Sequence, residues 1–291
     1  MPRQLKQVPP ESVGLDSSRL DQISSIVSEG IENGKMPGCV VCIGHQGKVA
    51  YLKAFGHRRT QPNPDPMTTD TVFDMASITK PMATATSIMR LVESGKVRLG
   101  AKVVDYLPEF SPQGKDAITV HDLLVHQSGL IPDNALKDYE AGPEVAWQRI
   151  CELDLVAPVG TTFKYSDVNF IVLAEIVHRV SGLNVHEFSQ REIFQPLGMR
   201  ETGYLPNDEL KRRAAPTERR NDQWMQGEVH DPRAYALGGI AGHAGLFSTA
   251  QDIALYAQAL LDDGRATLDD GTIVQVRATH IGHDDSRVPG L

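Results

Sequence analysis

The feature that most limits how this 291-residue chain can fold is one β-hairpin followed by almost two hundred residues with a mainly helical pattern. The apolar runs at residues 39–43 and 49–55 flank a short polar turn, so they predict two antiparallel strands. A helix capped by Asp16 or Ser17 precedes them. Because a lone hairpin is marginally stable and leaves unpaired edges, we expect further strands beside it. Residues 271–276 supply one short candidate.

The chain after the hairpin predicts a series of helices, each recognised from apolar residues at three- and four-residue steps and from capping residues at its ends. They cover residues 77–94, 120–126, 145–153, 170–180, 186–194 and 248–261. The first helix is expected to bury a face that includes Ile78, Met82 and Val92. The last is expected to open with a capping box that begins at Ser248.

The composition is that of a globular protein that does not bind nucleic acid. Hydrophobic residues make up 41% of the chain and charged residues 23%, which allows a large core. The net charge of -8 opposes contact with a phosphate backbone. The first twenty residues lack the apolar segment of a signal peptide, and no apolar run is long enough to span a bilayer. As written, the chain is expected in the cytoplasm without a membrane partner, and in the periplasm or outside the cell only if its N-terminus is incomplete.

Neither the cysteines nor the histidines predict a metal site. Three cysteines are an odd number for a disulfide framework. Cys39 and Cys42 have C-x-x-C spacing, but they lie on a predicted strand that directs them to opposite faces, so we expect buried thiols. His280 and His283 fall in a segment with the pattern of a loop, which does not present them as a zinc site. We therefore expect no metal and no cofactor.

Ser77 and Lys80 are a candidate catalytic pair. They lie three residues apart at the start of a predicted helix, so both side chains leave the same face. A serine hydroxyl is a weak nucleophile until a neighbouring base takes its proton. A lysine that is buried near a helix N-terminus can lose its own proton and act as that base. This spacing is common by chance, so the assignment depends on the surrounding sequence.

Four segments together resemble the serine β-lactamase and penicillin-binding-protein superfamily, nearest its class C β-lactamase and family VIII esterase branch. Ser77-Ile78-Thr79-Lys80 matches the S-x-x-K nucleophile motif of that family. The segments LLVHQSGL (123–130), PVGTTFKYSD (158–167) and FQPLGM (194–199) resemble its LLxHxSGL, PGxxFxYSN and PLGM motifs. The four segments follow the family's order, and the similarity runs from about Gly38 to the end of the chain.

The resemblance implies the roles of individual residues. Ser77 would be the acylated nucleophile, Lys80 its base or the charge that tunes the base, and Tyr165 the group that relays a proton to the leaving group. Asp167 stands where penicillin-recognising members have asparagine. A carboxylate there accepts hydrogen bonds from Lys80 but cannot donate one to a substrate carbonyl, which favours ester or peptide substrates over β-lactams. Asp167 is thus a candidate substrate-binding residue, or alternatively the cap of the following helix.

His243-Ala244-Gly245 has the H-x-G form of the family's third motif, K-T-G or H-x-G on a late strand, but we reject it as that motif. We keep His243 as a candidate substrate-binding residue, but its loop is expected to lead straight into the helix at Ser248 instead of along a strand. Only 46 residues follow Gly245, too few for the remaining strands and helix. The expectation is therefore a C-terminally incomplete member with a weakened oxyanion hole, since one lost donor typically costs on the order of 10²–10³ in rate.

The expected fold class is α/β plus all-α: a β-lactamase/transpeptidase-like fold with an antiparallel sheet, incomplete here, and a large helical region. Residues 1–76 would supply the N-terminal helix and hairpin of the α/β part. Residues 77–264 would form the mainly helical part with both motifs, and residues 265–291 the incomplete start of the returning α/β part. Together they are expected to form one catalytic domain.

Four functions stay open. The favoured one is a serine esterase that acts on small esters through an acyl-enzyme at Ser77. A DD-carboxypeptidase or penicillin-binding protein and a class C-like β-lactamase would use the same nucleophile, so the expected partner is a small-molecule ester, amide or β-lactam. Outside the enzymes, the alternative is an inactive fragment or a non-catalytic binding protein.

Overall fold

The computed structural model describes residues 4–267 and 273–275, which divide into two compact units. The first unit holds residues 4–74, 194–228, 247–267 and 273–275. The second holds residues 75–193 and 229–246. In chain order, the α-helices of the described residues are α1 (Ser17–Glu32), α2 (Thr86–Glu93), α3 (Val120–Leu124), α4 (Pro143–Cys151), α5 (Asp167–Ser181), α6 (Val185–Ser189), α7 (Asp208–Arg213), α8 (Pro232–Ala236) and α9 (Ala250–Leu261). The strands are β1 (Gly38–His45), β2 (Lys48–Arg59), β3 (Asp65–Pro66), β4 (Val72–Asp74), β5 (Gly203–Tyr204), β6 (Arg219–Arg220), β7 (Gln223–Trp224), β8 (Leu246–Thr249), β9 (Arg265–Thr267) and β10 (Ile273–Gln275).

The first unit is built on the predicted hairpin. The Asp16 carboxylate caps α1 by accepting hydrogen bonds from two backbone N–H groups of the first turn. β1 and β2 pair antiparallel, with Cys39 opposite Phe55, and β3 adds a third strand beside β2. Helices α1 and α9 pack against this hairpin. The expectation that further strands join the hairpin is confirmed. Cys39 and Cys42 are half-buried, so the expected full burial of these thiols is wrong.

A second three-stranded sheet, in the order β4-β8-β5, corrects two predictions about residues 246–249. Phe73 pairs with Ser248, so Ser248 is a strand residue and cannot cap α9. The cap is Thr249, whose hydroxyl accepts a hydrogen bond from the Asp252 N–H. A strand of four residues therefore follows Gly245 before the helix begins. β9 and β10 form a separate antiparallel pair, in which β10 falls within the strand predicted at residues 271–276.

The core of the second unit surrounds α5, which is apolar on most of its surface. Val172, Leu173, Ile176 and Val177 are each 0% exposed. Complete burial of such a side chain typically contributes about 1.5–3 kcal/mol, so α5 is a main source of stability in this unit. The predicted helices at residues 120–126, 145–153 and 170–180 correspond to α3, α4 and α5 and are confirmed. The helix predicted at residues 186–194 is divided into α6 and a π-helical turn, Gln190–Phe194.

The segment predicted as one helix over residues 77–94 is helical but irregular. A 3₁₀ turn (Ala76–Ile78) leads into a π-helical turn (Lys80–Ala85), and only then does α2 begin. A π-helical turn closes its hydrogen bonds over five residues instead of four, so it rotates the residues that follow it relative to the α-helical period. A regular period therefore does not describe this segment.

The irregular turns change which side chains of this segment are buried. Met82, Ile88 and Leu91 are at most 2% exposed and enter the core. Ile78 is 49% exposed, so its predicted place on the buried face is wrong. Because Ile78 lies before the π-helical turn, the helical spacing that relates it to Met82 does not hold.

Within the described ranges, no single helix is both long enough and apolar enough to cross a membrane. The pair formed by α5 and residues 185–194 meets the length and composition criteria only when both are taken together, and it is bent by 73°. The candidate metal ligands His280 and His283 lie outside the described residues.

Candidate active site

Ser77 lies on an exposed 3₁₀ turn at the start of the helical segment. The Met75 N–H donates to the Leu246 carbonyl at 2.9 Å, and the Ile78 N–H donates to the Met75 carbonyl at 2.9 Å, so backbone bonds hold both sides of the turn. Ala76 has a φ of +46°, a left-handed conformation that is uncommon for residues with a Cβ. Strain of this kind concentrates at functional sites, and here it lies next to the exposed Ser77.

Lys80 is the centre of the site. Its side chain is 4% exposed, and its Nζ contacts three oxygen atoms. The distances are 2.7 Å to Asp167 Oδ1, 3.0 Å to Ser77 Oγ and 3.2 Å to the His243 carbonyl oxygen. Two of these contacts are hydrogen bonds that the Lys80 amine donates, to Ser77 and to the His243 carbonyl, and the third is an ion pair with Asp167. The structure therefore brings the predicted residues Ser77, Lys80, Asp167 and His243 together.

Two further hydrogen bonds tie the Ser77–Lys80 segment to the loop that contains His243. The Thr84 hydroxyl donates to the Gly242 carbonyl at 2.7 Å, and the Leu246 N–H donates to the Thr79 hydroxyl at 3.1 Å. On its other side, the loop touches α5. A Cβ at Gly242 would lie 1.9 Å from the Phe170 carbonyl oxygen, so only glycine fits there. The His243 carbonyl is therefore held in place from two directions.

Tyr165 lies beside Lys80 at the start of α5. The Lys80 Nζ is 4.7 Å from the centre of the Tyr165 ring, a distance typical of a cation–π contact. Tyr165 is 46% exposed, so its side chain contacts the site and is also accessible to solvent. Ser166 caps α5 through a hydrogen bond from the Asn169 N–H. The alternative in which Asp167 caps the helix is therefore wrong, and the Asp167 side chain is directed to Lys80 instead.

His243 contributes more than its carbonyl group. Its side chain is 1% exposed, and its Nε2 lies 2.9 Å from Asp231 Oδ1. Burial works to raise the pKa of Asp231, but the hydrogen bond and charge of His243 and the Ala234 N–H hold that pKa at about 2. The carboxylate is therefore ionised and acts as an acceptor, so His243 Nε2 carries the proton. Its side-chain contact is to protein, which leaves the proposed substrate contact of His243 without direct support.

Asp231 is a site residue that the sequence analysis missed. It caps α8 through the Ala234 N–H at 2.7 Å, and Pro232 occupies the first helical position. An Asp-Pro pair that opens a helix is a recognisable cap signal, so α8 was predictable from residues 231–236. The partnership with His243 was not, because it joins residues twelve apart through a loop.

Asp167, Asp231 and His243 place one possible ligand atom each within 4.8 Å of the others, which is the arrangement that a metal ion requires. Two of these groups already have charged or polar partners, Lys80 for Asp167 and His243 for Asp231. A divalent cation would have to displace or adjoin the Lys80 ammonium group, which repels it. The chemistry of the donor set therefore fits a network of ion pairs better than a metal centre.

Comparisons with known proteins identify the family of this chain. The sequence model of the beta-lactamase family matches residues 23–288. An N-acetylmuramyl-L-alanine amidase of Bacillus subtilis (strain 168) is 32% identical over 289 residues, which cover 87% of this chain and 65% of the relative. A relative from Escherichia coli (strain K12) with D-alanyl-D-alanine carboxypeptidase in its name is 30% identical, with 89% of this chain and 68% of the relative covered. This chain thus spans about two thirds of the length of those relatives.

Solved structures show the same fold. The octameric penicillin-binding protein homologue from Pyrococcus abyssi superposes with a TM-score of 0.69 at 28% identity, covering 84% of this chain and 56% of the other. A class C beta lactamase superposes with a TM-score of 0.74 at 21% identity, covering 86% and 67%. The expected β-lactamase/transpeptidase-like fold is therefore confirmed. With its family model matched over most of its length, this chain belongs to the beta-lactamase family.

Proposed function

We propose that this chain is a serine hydrolase that forms an acyl-enzyme at Ser77, with small esters as its first substrates to test. The observation that carries the proposal is the 3.0 Å contact between Lys80 Nζ and Ser77 Oγ at an exposed turn. The pair is supported by the carboxyl group of Asp167 2.7 Å from the amine and by the Tyr165 ring, whose centre is 4.7 Å from it. This combination matches a nucleophile, its base and a proton donor within one cleft.

The three contacts of Lys80 suggest how the base works. As an ammonium group, Lys80 donates to Ser77 Oγ and to the His243 carbonyl and forms an ion pair with Asp167. After loss of one proton, two N–H donors serve the carboxylate and the carbonyl, and the lone pair faces Ser77 Oγ. Lys80 can then accept the serine proton as Oγ attacks the ester carbonyl, and the proton stays on the amine while the acyl bond forms. Fixed acceptors at residues 167 and 243 keep the lone pair aimed at the nucleophile.

Tyr165 is proposed to pass a proton to the leaving group. The contact between its ring and Lys80 Nζ, 4.7 Å to the ring centre, supports this role, because it keeps the phenol near the amine that takes the Ser77 proton. Transfer to the leaving alkoxide completes acylation, and a water molecule then attacks the acyl-enzyme with the same groups in reverse order. Half-exposure of Tyr165 suits this role, because the leaving group departs to solvent.

The experiment is hydrolysis of p-nitrophenyl butyrate by the wild-type chain and by Ser77→Ala. Turnover in the wild type, a butyryl adduct of matching mass on Ser77 after rapid quenching, and loss of both in Ser77→Ala would support the proposal. Equal turnover in the two proteins would contradict it. Ser111→Ala is a matched control, because Ser111 is an exposed serine of the same unit that lies outside the site.

A second candidate is hydrolysis of amide bonds in peptidoglycan fragments. It is favoured by the names of the relatives above, an N-acetylmuramyl-L-alanine amidase and a D-alanyl-D-alanine carboxypeptidase. A fluorescent penicillin separates the candidates, because a lasting adduct on Ser77 indicates a peptidase and rapid release indicates a β-lactamase. Absence of an adduct together with ester turnover favours the esterase. Absence of both favours a non-catalytic binding protein.

A further inference from the structure

His126 is a buried polar group in the second unit for which the proposed reaction has no role. It is 8% exposed and lies just after α3, in the segment LLVHQSGL. Its φ of +59° places the residue in the left-handed region, which histidine tolerates better than most residues with a Cβ. A strained, buried histidine beside a reactive cleft needs a structural explanation.

The contacts of His126 bracket Tyr165 on both sides. The Lys164 N–H donates to the backbone carbonyl of His126 at 2.8 Å. The Ser166 N–H donates to the ring Nδ1 of His126 at 3.1 Å. Between these two bonds, the Tyr165 ring lies over the imidazole with ring centres 4.6 Å apart. One residue therefore holds the peptide groups before and after Tyr165 as well as the Tyr165 ring.

The protonation state of His126 is consistent with these contacts. Burial, and after it the charge of Lys80, lower the pKa of His126 to about 4, while Asp167 acts in the opposite direction. The ring is therefore neutral at neutral pH, so one nitrogen is free to accept a hydrogen bond. Because the Ser166 N–H donates to Nδ1, the ring proton is on Nε2.

A second layer of contacts fixes the His126 ring itself. The Asn169 amide nitrogen lies 3.4 Å from Nδ1 and donates to the Leu123 carbonyl at 3.1 Å. The Ser128 hydroxyl donates to the Asn169 side-chain oxygen at 2.6 Å. The end of α3 and the start of α5 are thereby joined through a buried polar network, which makes the position of the ring insensitive to solvent.

We propose that His126 is a positioning residue that clamps Tyr165 against Lys80 by accepting the Ser166 N–H. The clamp concerns a backbone segment and stands on its own geometry. Its effect on catalysis rests on the proposed function, because it acts through Tyr165. Misplacement of a catalytic group by about 1 Å can cost on the order of 10²-fold in rate, so release of the clamp should lower kcat.

Three substitutions of His126 distinguish the effect of its hydrogen-bond acceptor from the effect of its aromatic ring: phenylalanine and glycine remove the acceptor, and asparagine keeps one. His126→Phe keeps an aromatic ring against Tyr165 but removes the acceptor. His126→Asn places a side-chain oxygen near the position of Nδ1 and suits a positive φ. His126→Gly removes the acceptor without strain at a positive φ, so it checks that any effect of phenylalanine is not a backbone effect. His178→Phe is the control, because His178 is exposed on the same unit.

The first measurement is amide hydrogen exchange followed residue by residue with NMR. In His126→Phe and His126→Gly, we expect the Ser166 amide to exchange about 10–100-fold faster than in the wild type, since a buried N–H loses its partner. The Lys164 amide donates to a backbone carbonyl that both variants keep, so its rate should change less than about three-fold. His126→Asn should keep Ser166 protected.

The second measurement is the kinetics of p-nitrophenyl butyrate hydrolysis. Loss of the clamp should lower kcat by about 10–100-fold with KM within about three-fold, and asparagine should restore most of kcat. An unchanged Ser166 exchange rate in His126→Phe and His126→Gly overturns the proposal, as does acceleration of Ser166 and Lys164 alike. If Ser166 responds as expected but no variant or wild type has esterase activity, the clamp stands and the proposed function fails.

Discussion

The ion pair between Lys80 and Asp167 gives a prediction whose size follows from the structure. Lys80 is 4% exposed and Asp167 19% exposed, with 2.7 Å between Nζ and Oδ1. Two unit charges at that distance attract by about 6 kcal/mol at an effective dielectric constant of 20. Loss of solvation by both groups offsets part of this attraction. We therefore expect a coupling energy of about 2–3 kcal/mol for this pair.

The perturbation is a double-mutant cycle of Lys80→Met, Asp167→Asn and the protein with both changes. Each single change leaves one buried charge without its partner, so each should destabilise strongly. The double change removes both charges and should cost about 2–3 kcal/mol less than the sum of the two single changes. Activity should not recover, because a base typically contributes about 10²–10⁴-fold and methionine cannot replace it.

Urea unfolding of the second unit can be followed by the fluorescence of Trp147, which stacks on Phe110 with 6.1 Å between ring centres. Trp224 is the second of the two tryptophans in the chain, so Trp224→Phe makes the signal specific. The Arg149–Glu152 pair is the control: its distance of 2.9 Å is close to the 2.7 Å between Lys80 and Asp167, but its side chains are 55% and 62% exposed. Its coupling energy should be below about 0.5 kcal/mol. An equally small coupling for Lys80 and Asp167 would refute the reasoning.

Two further predictions concern stability. Gly242→Ala should lower the free energy of unfolding in urea by about 3 kcal/mol or more, since its Cβ would lie 1.9 Å from the Phe170 carbonyl oxygen. Gly100→Ala is the control, because its Cβ would meet open space, and it should cost less than about 1 kcal/mol. Similar losses for both variants would contradict the packing argument. Burial raises the pKa of Asp252 to about 7, although the Thr202 hydroxyl bond lowers it. The folded pKa lies above the unfolded value, so the stability that this group contributes is full below about pH 4 and is lost as the pH rises through about 7. Asp252→Asn should remove up to about 4 kcal/mol of that pH dependence between pH 4 and 8, as measured by urea unfolding across that range, and an unchanged profile would count against a buried ionisable group.

The elements that follow local rules were predictable from the sequence. A capping residue, a turn or an apolar period predicts each of them: the Asp16 cap, the hairpin and helices α3, α4 and α5. The fold followed from motifs whose order matches a known family. Ser77 and Lys80 were candidates for a local reason too, since three residues of helix place them side by side.

The parts that sequence patterns missed depend on contacts between distant segments. The sequence from Ser248 matches the pattern of a capping box, but Ser248 pairs with Phe73 and is therefore a strand residue. The π-helical turn after Ser77 changes the helical period and exposes Ile78. His126 stood inside a motif that was recognised, but its hydrogen bond to Ser166 crosses forty residues of chain. Such partners are decided by tertiary packing and not by spacing.

The oxygen that residue 243 offers to Lys80 belongs to the main chain, and every amino acid has that atom. What delivers it to the amine is the path of the loop, which the missing side chain of Gly242 permits. A substitution at 243 would therefore keep the carbonyl contact with Lys80 and remove the side-chain bond to Asp231. The methyl group of an alanine at 242 would instead displace the carbonyl oxygen. The contact that residue 243 makes therefore depends on the identity of residue 242.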